Sequence, residues 1–255
     1  RMSAVPFKHG PVQDPVGTLK RIIDESINVL VGVPVQVLAL LRTYEDMPAR
    51  PALALKSILL STDYVPDSVI QALQNTWNCA VFNHYGMTET GLGGGVTCEA
   101  QQGYHLREAD LYYEIIDPCT GRVLEDGQEG EVVFTTLTRL GMPLIRYRSG
   151  DISRFIPEPC ACGSFLKLMQ PVKRRVNGRI KFLDDWLTIA ELDEALLGED
   201  QVLDYEAVLE RGDGQTRLKL DVYVKHLSPV CATRLHSRLM TVTAVQELTR
   251  HDPSA

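Results

Sequence analysis

Apolar positions along this chain change rhythm twice. From Asn28 to Val33 they form a β-branched run of the kind that fills a buried strand. Pro34 suits a first helical turn, and Val35 to Leu41 continues as a helix. Ser57 to Leu60 is a second short strand. A helix begins across Pro66 to Leu73, with Val69, Ile70 and Leu73 on one side and Asp67 near its positive end. Cys79 to Phe82 is a third strand. Strand–helix alternation predicts parallel pairing with right-handed crossovers, and ligands in such sheets sit beyond the carboxyl ends of the strands. Residues Asn83 to Gly95 leave the third strand at that place.

The second rhythm is of short strands among turn residues. Leu111 to Ile116, Glu131 to Thr136, Leu144 to Tyr147 and Ile152 to Ile156 read as strands, with a turn-rich stretch from Asp117 to Gly130. They predict a small antiparallel barrel or twisted sheet. A basic segment, Lys173 to Arg179, reads as a linker. Thr188 with Glu191 is a capping box opening a helix whose stripe is Ile189, Leu192, Ala195 and Leu196, ended by Gly198. Strands at Asp204 to Leu209 and Thr216 to Val224, a helix at Pro229 to Leu239 and a last apolar segment complete a small α+β domain. The expected architecture is α/β: a parallel-sheet subdomain and a small antiparallel β subdomain over 1–172, a hinge at 173–179, and an α+β C-terminal domain over 180–255.

Length and composition fit this picture. The chain has 255 residues, 44% hydrophobic and 23% charged, ordinary for a globular protein with a real core. Its net charge of −7 argues against a nucleic-acid binder, which needs a basic face, and leaves single-nucleotide binding open. The longest apolar stretch, Val29 to Leu41, is interrupted by Gly32, Pro34 and Gln36 and falls short of the ~20 residues that span a bilayer. The expectation is no membrane association. Six cysteines are too sparse for a disulfide scaffold, so a cytoplasmic location is expected. Arg1 precedes Met2, an odd start for a native chain.

Two stretches carry candidate chemistry. The first is NHYGMTETGLGGG, from Asn83 to Gly95. Thr88, Glu89 and Thr90 bring two hydroxyls and a carboxylate, a reasonable set for a phosphate oxygen and its Mg2+. Tyr85 offers a flat face for a base, and the glycines let backbone approach a ligand. Alone, the stretch is equally a polar loop whose glycines only permit a turn. It is not a Walker-type phosphate loop, because no Gly-Lys-Ser/Thr follows. The second is MPLIRYRSGD, which places Asp151 just after an apolar strand and a Gly turn. A carboxylate there can accept two hydrogen bonds from a ribose diol. Alone, it reads more readily as an ordinary Ser-Gly-Asp turn.

YGMTET followed about sixty residues later by YRSGD resembles the adenylate-forming superfamily of acyl- and aryl-CoA ligases. The intervening EIIDPCTGRVLEDGQEGEVVFTTLTRLGMPLIRYRSGD and the CACG at 160–163 look like its phenylacetate–CoA ligase branch. The resemblance implies roles. Thr88 and Glu89 match the phosphate and magnesium contacts, as the catalytic pair. Tyr85 with Gly86 matches the adenine-packing position, and Asn83 lies near the adenine amino group. Asp151 matches the ribose-binding carboxylate, and Arg175 the arginine of the hinge. Ser61-Thr62-Asp63 stands where an element lining the nucleotide and acid pocket lies. Asp63, His84, Gly91 and Gly93 would border the acid. The implied reaction is ATP-dependent joining of an aromatic or hydrophobic carboxylic acid to AMP, then transfer to coenzyme A or another thiol.

Three departures qualify the resemblance. The family's Thr/Ser/Gly-rich phosphate loop has no counterpart in Arg1 to Arg50. At the hinge, KRRVNGRIKF puts Asn177 where the family has an aspartate, although DDWLTIAELDEALL then fits its first C-terminal helix. From Lys225 to Ala255 the only lysine is the first residue, so the family's terminal Gly-Lys is absent. A non-catalytic nucleotide- or adenylate-binding module therefore stands as the alternative, as does a zinc-stabilised interaction domain. Whether the protein forms a homodimer is open.

Cys98 and His105 flank the loop TCEAQQGYH, and Cys160 and Cys162 follow in CACG. Three thiolates and an imidazole are a tetrahedral zinc set, and four protein ligands make it structural Zn2+ rather than catalytic. The other reading is four unrelated residues, two of them buried thiols. The resemblance favours zinc, since its branch has members with similar Cys/His sets.

Overall fold

A computed structural model describes residues 4–182, 185–212 and 215–251. The Arg1–Met2 start, Asp184 of the DDWLTIAELDEALL segment and the tail after 251 lie outside the described residues. The chain opens with helix α1 (Pro15–Asp24), which the apolar pattern did not predict. Its start signal is local: the Asp14 side chain accepts the Gly17 N–H at 3.0 Å, and proline occupies the first helical position. Strand β1 (Val29–Gly32), helix α2 (Pro34–Glu45), strand β2 (Ser57–Leu60), helix α3 (Asp67–Trp77) and strand β3 (Ala80–Tyr85) follow, as the alternation predicts. β1, β2 and β3 pair in parallel.

The sheet then continues in short strands before Leu111, where the apolar pattern predicted none. β4 (Gly95–Thr97) pairs antiparallel with β3, and β5 (Tyr104–Leu106) with β4. β6 (Leu111–Ile116), β7 (Gly130–Thr136) and β8 (Tyr147–Ser153) form an antiparallel set of their own. The short β9 (Phe155–Ile156) and β10 (Leu168–Met169) return to the first sheet, giving the order β1-β2-β3-β4-β5-β10-β9. β11 (Arg174–Arg175) pairs with β8, so part of the expected linker is an edge strand of the second sheet, ordered β11-β8-β7-β6.

Two expected strands are corrected. Ile152 to Ile156 is split between β8 and β9, which lie in different sheets, and Leu144 to Arg146 is a turn, with β8 starting at Tyr147. Arg146 has φ +49°, a left-handed conformation that breaks an extended run. The Thr136 hydroxyl and backbone bind Leu144, closing the turn. Asp151 consequently lies inside a strand rather than after one. Gly150, at φ +78°, sits where the β7–β8 register slips, so the bulge re-aims the side chain that follows it.

The C-terminal part has β12 (Arg179–Phe182) and β13 (Asp185–Thr188) as one hairpin, helix α4 (Ile189–Leu196), the long hairpin β14 (Val202–Gly212) and β15 (Gln215–Val224), and helices α5 (Pro229–Leu239) and α6 (Thr243–His251). The capping box is present: the Thr188 side chain takes the Glu191 N–H, and Glu191 reaches back to the Thr188 N–H at 2.8 Å.

Three apolar cores result. Leu38, Leu41, Ile58, Leu60, Val69, Leu73 and Val81 fill the layer between the parallel strands and helices α2 and α3. Leu106, Ile115, Val132, Phe134 and Met169 fill the second, between the two sheets. Leu187, Leu192, Val242 and Ala244 make the third. Leu197 and Val202 belong to the first core although they lie in the C-terminal part. Charges join the same two parts: Lys225 meets Glu45 and Asp46, and buried Arg42 donates to the Glu199 carbonyl at 3.1 Å. The opposite face of β1 is bare, with Val29 53% and Val31 64% exposed. Parallel sheets are normally covered on both faces.

The contact between α4 and α3 has a pH signature. Glu194 accepts the Tyr64 hydroxyl at 2.7 Å and the Asp67 N–H at 2.9 Å, capping α3. Beside it, burial and the charges of Asp63, Glu194 and Asp204 push the Asp193 carboxyl up to about 6, although the Tyr205 hydroxyl donates to it. The folded chain thus holds this proton more tightly than the unfolded chain, whose aspartates titrate near about 3.9. Asp193 therefore favours folding least once pH exceeds about 6, and stability from this group falls as pH rises between those values. Asp193→Asn is expected to gain on the order of 1–2 kcal/mol at pH 7 and nothing at pH 4, a difference that urea titrations at the two pH values will read.

Candidate functional site

Strand β3 delivers the first motif to the end of the sheet. Side chains alternate along it: Val81, Asn83 and Tyr85 are buried on one face, while Phe82 and His84 are half-buried on the other. The Asn83 N–H donates to Thr97 Oγ1 at 2.9 Å, and the Gly94 N–H donates to the Tyr85 carbonyl at 2.8 Å, which folds the glycine loop back onto the strand end. Thr88 to Thr90 forms a single 3-10 turn. Thr90 is structural: buried, its hydroxyl takes the Met87 N–H and donates to the Met87 carbonyl at 2.8 Å. Thr88 is exposed beside it, and the Glu89 carboxylate accepts the Tyr147 hydroxyl at 3.1 Å.

The second motif meets the first across the gap between the sheets. The Tyr85 hydroxyl donates to Asp151 Oδ2 at 2.9 Å, and Arg175 Nε lies 3.1 Å from Asp151 Oδ1. Arg175 also donates to the Ser149 carbonyl. The Tyr85 ring is 7% exposed and stacks on Tyr104 with centroids 5.6 Å apart. Burial raises the Asp151 carboxyl above the usual range, opposed by the bonds from Tyr85 and Arg175. Burial first, then the neighbouring Asp151 charge, raises the Tyr85 phenol well above its ordinary value, so Tyr85 stays a donor. A carboxylate has about four acceptor positions and two are used here, leaving capacity for two vicinal hydroxyls.

These groups border a cleft of about 560 Å3. Of the residues expected from the sequence, Asp63, His84, Tyr85, Gly86, Glu89, Asp151 and Arg175 line it. Asn83 and Thr88 are not among its walls; Asn83 is 4% exposed beneath them. Gly91 and Gly93 act from behind. Gly91 has φ +75° and lies against the Arg139 guanidinium, while Gly93 has φ +105° and lies against the His84 ring. Tyr64, Tyr104, Tyr147, Ser149 and Val172 also line the cleft and were not singled out. Tyr147 opens YRSGD and Tyr104 precedes His105, so both were adjacent to noted residues, and their roles depend on strand pairing. A Cβ on Gly93 would stand 1.9 Å from His84 Nε2. Gly93→Ala is therefore expected to displace the His84 ring and to destabilise the chain by about 1–3 kcal/mol. Thermal unfolding together with the His84 ring resonances checks this.

The cysteine set also converges. One ligand atom each from Cys98, His105, Cys160 and Cys162 lies within 4.8 Å of the others. Cys98 Sγ is 3.5 Å from Cys160 Sγ, and Cys162 Sγ is 3.4 Å from His105 Nε2. Tetrahedral zinc, with Zn–S near about 2.3 Å and Zn–N near about 2.0 Å, sets its ligand atoms roughly 3.5–3.8 Å apart, so the donor set fits. Among the described residues His105 Nδ1 is buried without a hydrogen-bond partner, and a metal on Nε2 would place the ring proton there. His105 follows Tyr104 on β5, so this cluster and the Tyr85–Asp151 pair share a strand.

The model of the AMP-binding enzyme family matches residues 2–138, which include YGMTET and end before Asp151. Phenylacetate-coenzyme A ligases are among the relatives: that of Thermus thermophilus is 33% identical over 146 residues, and that of Aromatoleum evansii 33% identical over 159. These alignments cover 55% and 61% of this chain but 33% and 35% of the relatives, so the chain spans about a third of their length. Among solved structures, a 2-hydroxyisobutyryl-CoA ligase in complex with an AMP adduct superposes with a TM-score of 0.79 at 20% identity, covering 92% of this chain and 53% of that one. An anthranilate CoA ligase with anthranoyl-AMP gives 0.67 at 13% identity, over 94% and 48%. These likenesses match the α/β architecture. With the family model covering more than half of its residues, the chain belongs to the AMP-binding enzyme family.

Proposed function

We propose that this chain is part of an ATP-dependent, AMP-forming acid–CoA ligase of the phenylacetate–CoA ligase type. The observation that carries the reading is the convergence of Tyr85, Asp151 and Arg175 on one cleft from motifs far apart in sequence. The ribose hydroxyls of AMP would bond Asp151, and Arg175 would hold that carboxylate in place. Thr88 and Glu89 would face the phosphates and Mg2+, where a hydroxyl beside a carboxylate suits the ion. In the first step a carboxylate oxygen of the acid bonds to the α-phosphorus of ATP as pyrophosphate leaves. In the second, the sulfur of coenzyme A attacks the acyl carbonyl and AMP leaves. The phenylacetate-coenzyme A ligase relatives support an aromatic or hydrophobic acid.

We place the mobile boundary at 173–179, with 180–255 as the moving part. Such a swing would have to uncover Leu197 and Val202 and break the Lys225 ion pairs. Structural Zn2+ at Cys98, His105, Cys160 and Cys162 completes the reading. Among the described residues no helix is long and apolar enough to cross a membrane. The six free cysteines are in keeping with a cytoplasmic protein.

The second reading is a nucleotide-binding module without catalysis, in which the Glu89 carboxylate stays bonded to the Tyr147 hydroxyl at 3.1 Å rather than meeting Mg2+. Titration with phenylacetyl sulfamoyl adenosine, a non-hydrolysable acyl-adenylate mimic, separates the two. Ligase ancestry predicts binding at least about tenfold tighter than AMP, because the acyl arm adds contacts beyond the nucleotide. Affinity equal to that of AMP would support the module, and no binding of either compound would remove both readings.

A further inference from the structure

On the face of β3 opposite Tyr85, Ser61 Oγ lies 2.8 Å from His84 Nδ1. Ser61 follows β2 directly, and its N–H donates to the Gly32 carbonyl at 3.1 Å, so its position is set by the parallel sheet. The other ring nitrogen, Nε2, has no hydrogen-bond partner among the described residues and is not among the fully buried polar atoms. The glycine loop makes the space for it: a Cβ on Gly86 would meet the ring at 2.9 Å, and one on Gly93 at 1.9 Å. His84 is thus a ring with one nitrogen tethered and its other nitrogen against the Gly93 backbone without a hydrogen-bond partner among the described residues, on a side chain that lines the cleft.

Strand geometry says what that nitrogen would meet. Successive side chains point to opposite faces, so Tyr85 reaches Asp151 on one side of the strand end and His84 stands on the other. A ligand lying across the end of β3 with its ribose at Asp151 places its far arm on the His84 side. Under the function proposed above, on which this inference rests, that arm is the acyl group. We propose that Ser61 is a positioning residue that holds His84 to read the acyl group, and that the acid activated here carries a hydroxyl substituent that bonds His84 Nε2.

The chemistry of the pair supports a hydroxyl in particular. Burial lowers the His84 pKa below its ordinary value, so the ring is neutral near pH 7 and carries one N–H. When the Ser61 hydroxyl donates to Nδ1, Nε2 bears the proton and donates. When Nδ1 donates to Ser61, Nε2 accepts. A serine rotor permits both arrangements, and a hydroxyl can meet either. An unsubstituted hydrocarbon arm meets neither and leaves a polar nitrogen desolvated without a partner, which is the basis of strong discrimination in hydrogen-bonding pockets.

The test is a matched series of sulfamoyl adenosines bearing phenylacetyl, the three ring-hydroxylated phenylacetyl groups and mandelyl, titrated calorimetrically into the whole chain. At least one hydroxylated member is expected to bind tenfold or more tightly than the phenylacetyl compound. That ratio should fall to about one in Ser61→Ala and in His84→Phe, and should be kept in Ser61→Thr, which retains the hydroxyl. A merely structural role for Ser61 would weaken every member alike and leave the ratio unchanged. The inference is overturned if no hydroxylated member is preferred, or if the preference survives Ser61→Ala. In both cases continued binding of AMP and the phenylacetyl compound leaves the ligase reading standing, whereas loss of all binding in the unmodified chain removes both.

Discussion

Asp151→Ala is expected to weaken AMP binding by about thirty- to a hundredfold, the largest single effect on the cleft. Hydrogen bonds to a charged group contribute roughly 1.5–3 kcal/mol, and two ribose hydroxyls would share this carboxylate. The loss should exceed that of the ribose bonds alone. Arg175 Nε and the Tyr85 hydroxyl both depend on Asp151, so removing the carboxylate frees a guanidinium and leaves a buried phenol without its acceptor. Asp151→Asn separates the two contributions. It keeps the shape and one acceptor for Tyr85 while removing the charge, and should fall between the wild-type chain and Asp151→Ala. Calorimetry at fixed salt measures all three. An Asp151→Ala variant that is folded and binds AMP like the unmodified chain would show that the diol is held elsewhere.

Loss of the metal is the second large effect. The purified chain is expected to carry about one zinc, and Cys160→Ser to carry well below one, with a melting temperature lower by about 10 °C. Structural zinc contributes folding free energy outright, and a loss of about 3–5 kcal/mol shifts Tm by roughly 2–4 °C per kcal/mol in a chain of this size. The local reason is that β9 and β10 have two residues each and β5 three, too few to hold a sheet edge by ladder bonds alone. Cys98 lies after β4 and Cys160 and Cys162 between β9 and β10, so one ion would tie that edge together. Because Tyr104 neighbours His105 and stacks on Tyr85, AMP affinity should also fall when zinc is removed. Metal analysis showing far less than one zinc per chain, with Tm indifferent to chelator, would mean that the four side chains merely pack together.

How much of this was legible depended on whether the signal was local. Helix α2 after Pro34, the Ser57–Leu60 strand, the Thr188–Glu191 capping box and helix α5 follow from periodicity and end signals within a few residues, and the structure has them. The Cys/His set was legible because metal-binding chemistry restricts residue types, so four scattered residues could be grouped before any fold was known. The bulge at Gly150 was not, because its left-handed φ looks in sequence like any Ser-Gly-Asp turn. Nor was the extension of the parallel sheet by β4, β5, β10 and β9, whose strands of two or three residues carry no period. Tyr104 and the Ser61–His84 pair were invisible for the same reason: they exist only once distant strands are paired. Thr90 looked like a ligand group and is a turn closure, because a buried hydroxyl bonds the nearest backbone.

The most direct test of the central claim alters the ligand rather than the chain. AMP and 2′,3′-dideoxy-AMP are titrated into the unmodified protein under identical salt and pH. The site built on Tyr85, Asp151 and Arg175 predicts measurable AMP binding and affinity for the dideoxy compound lower by about thirtyfold or more, since only the diol that Asp151 would hold has been removed. Equal affinity for the two, or no binding of AMP at millimolar concentration, would contradict the claim that this cleft is a nucleotide site.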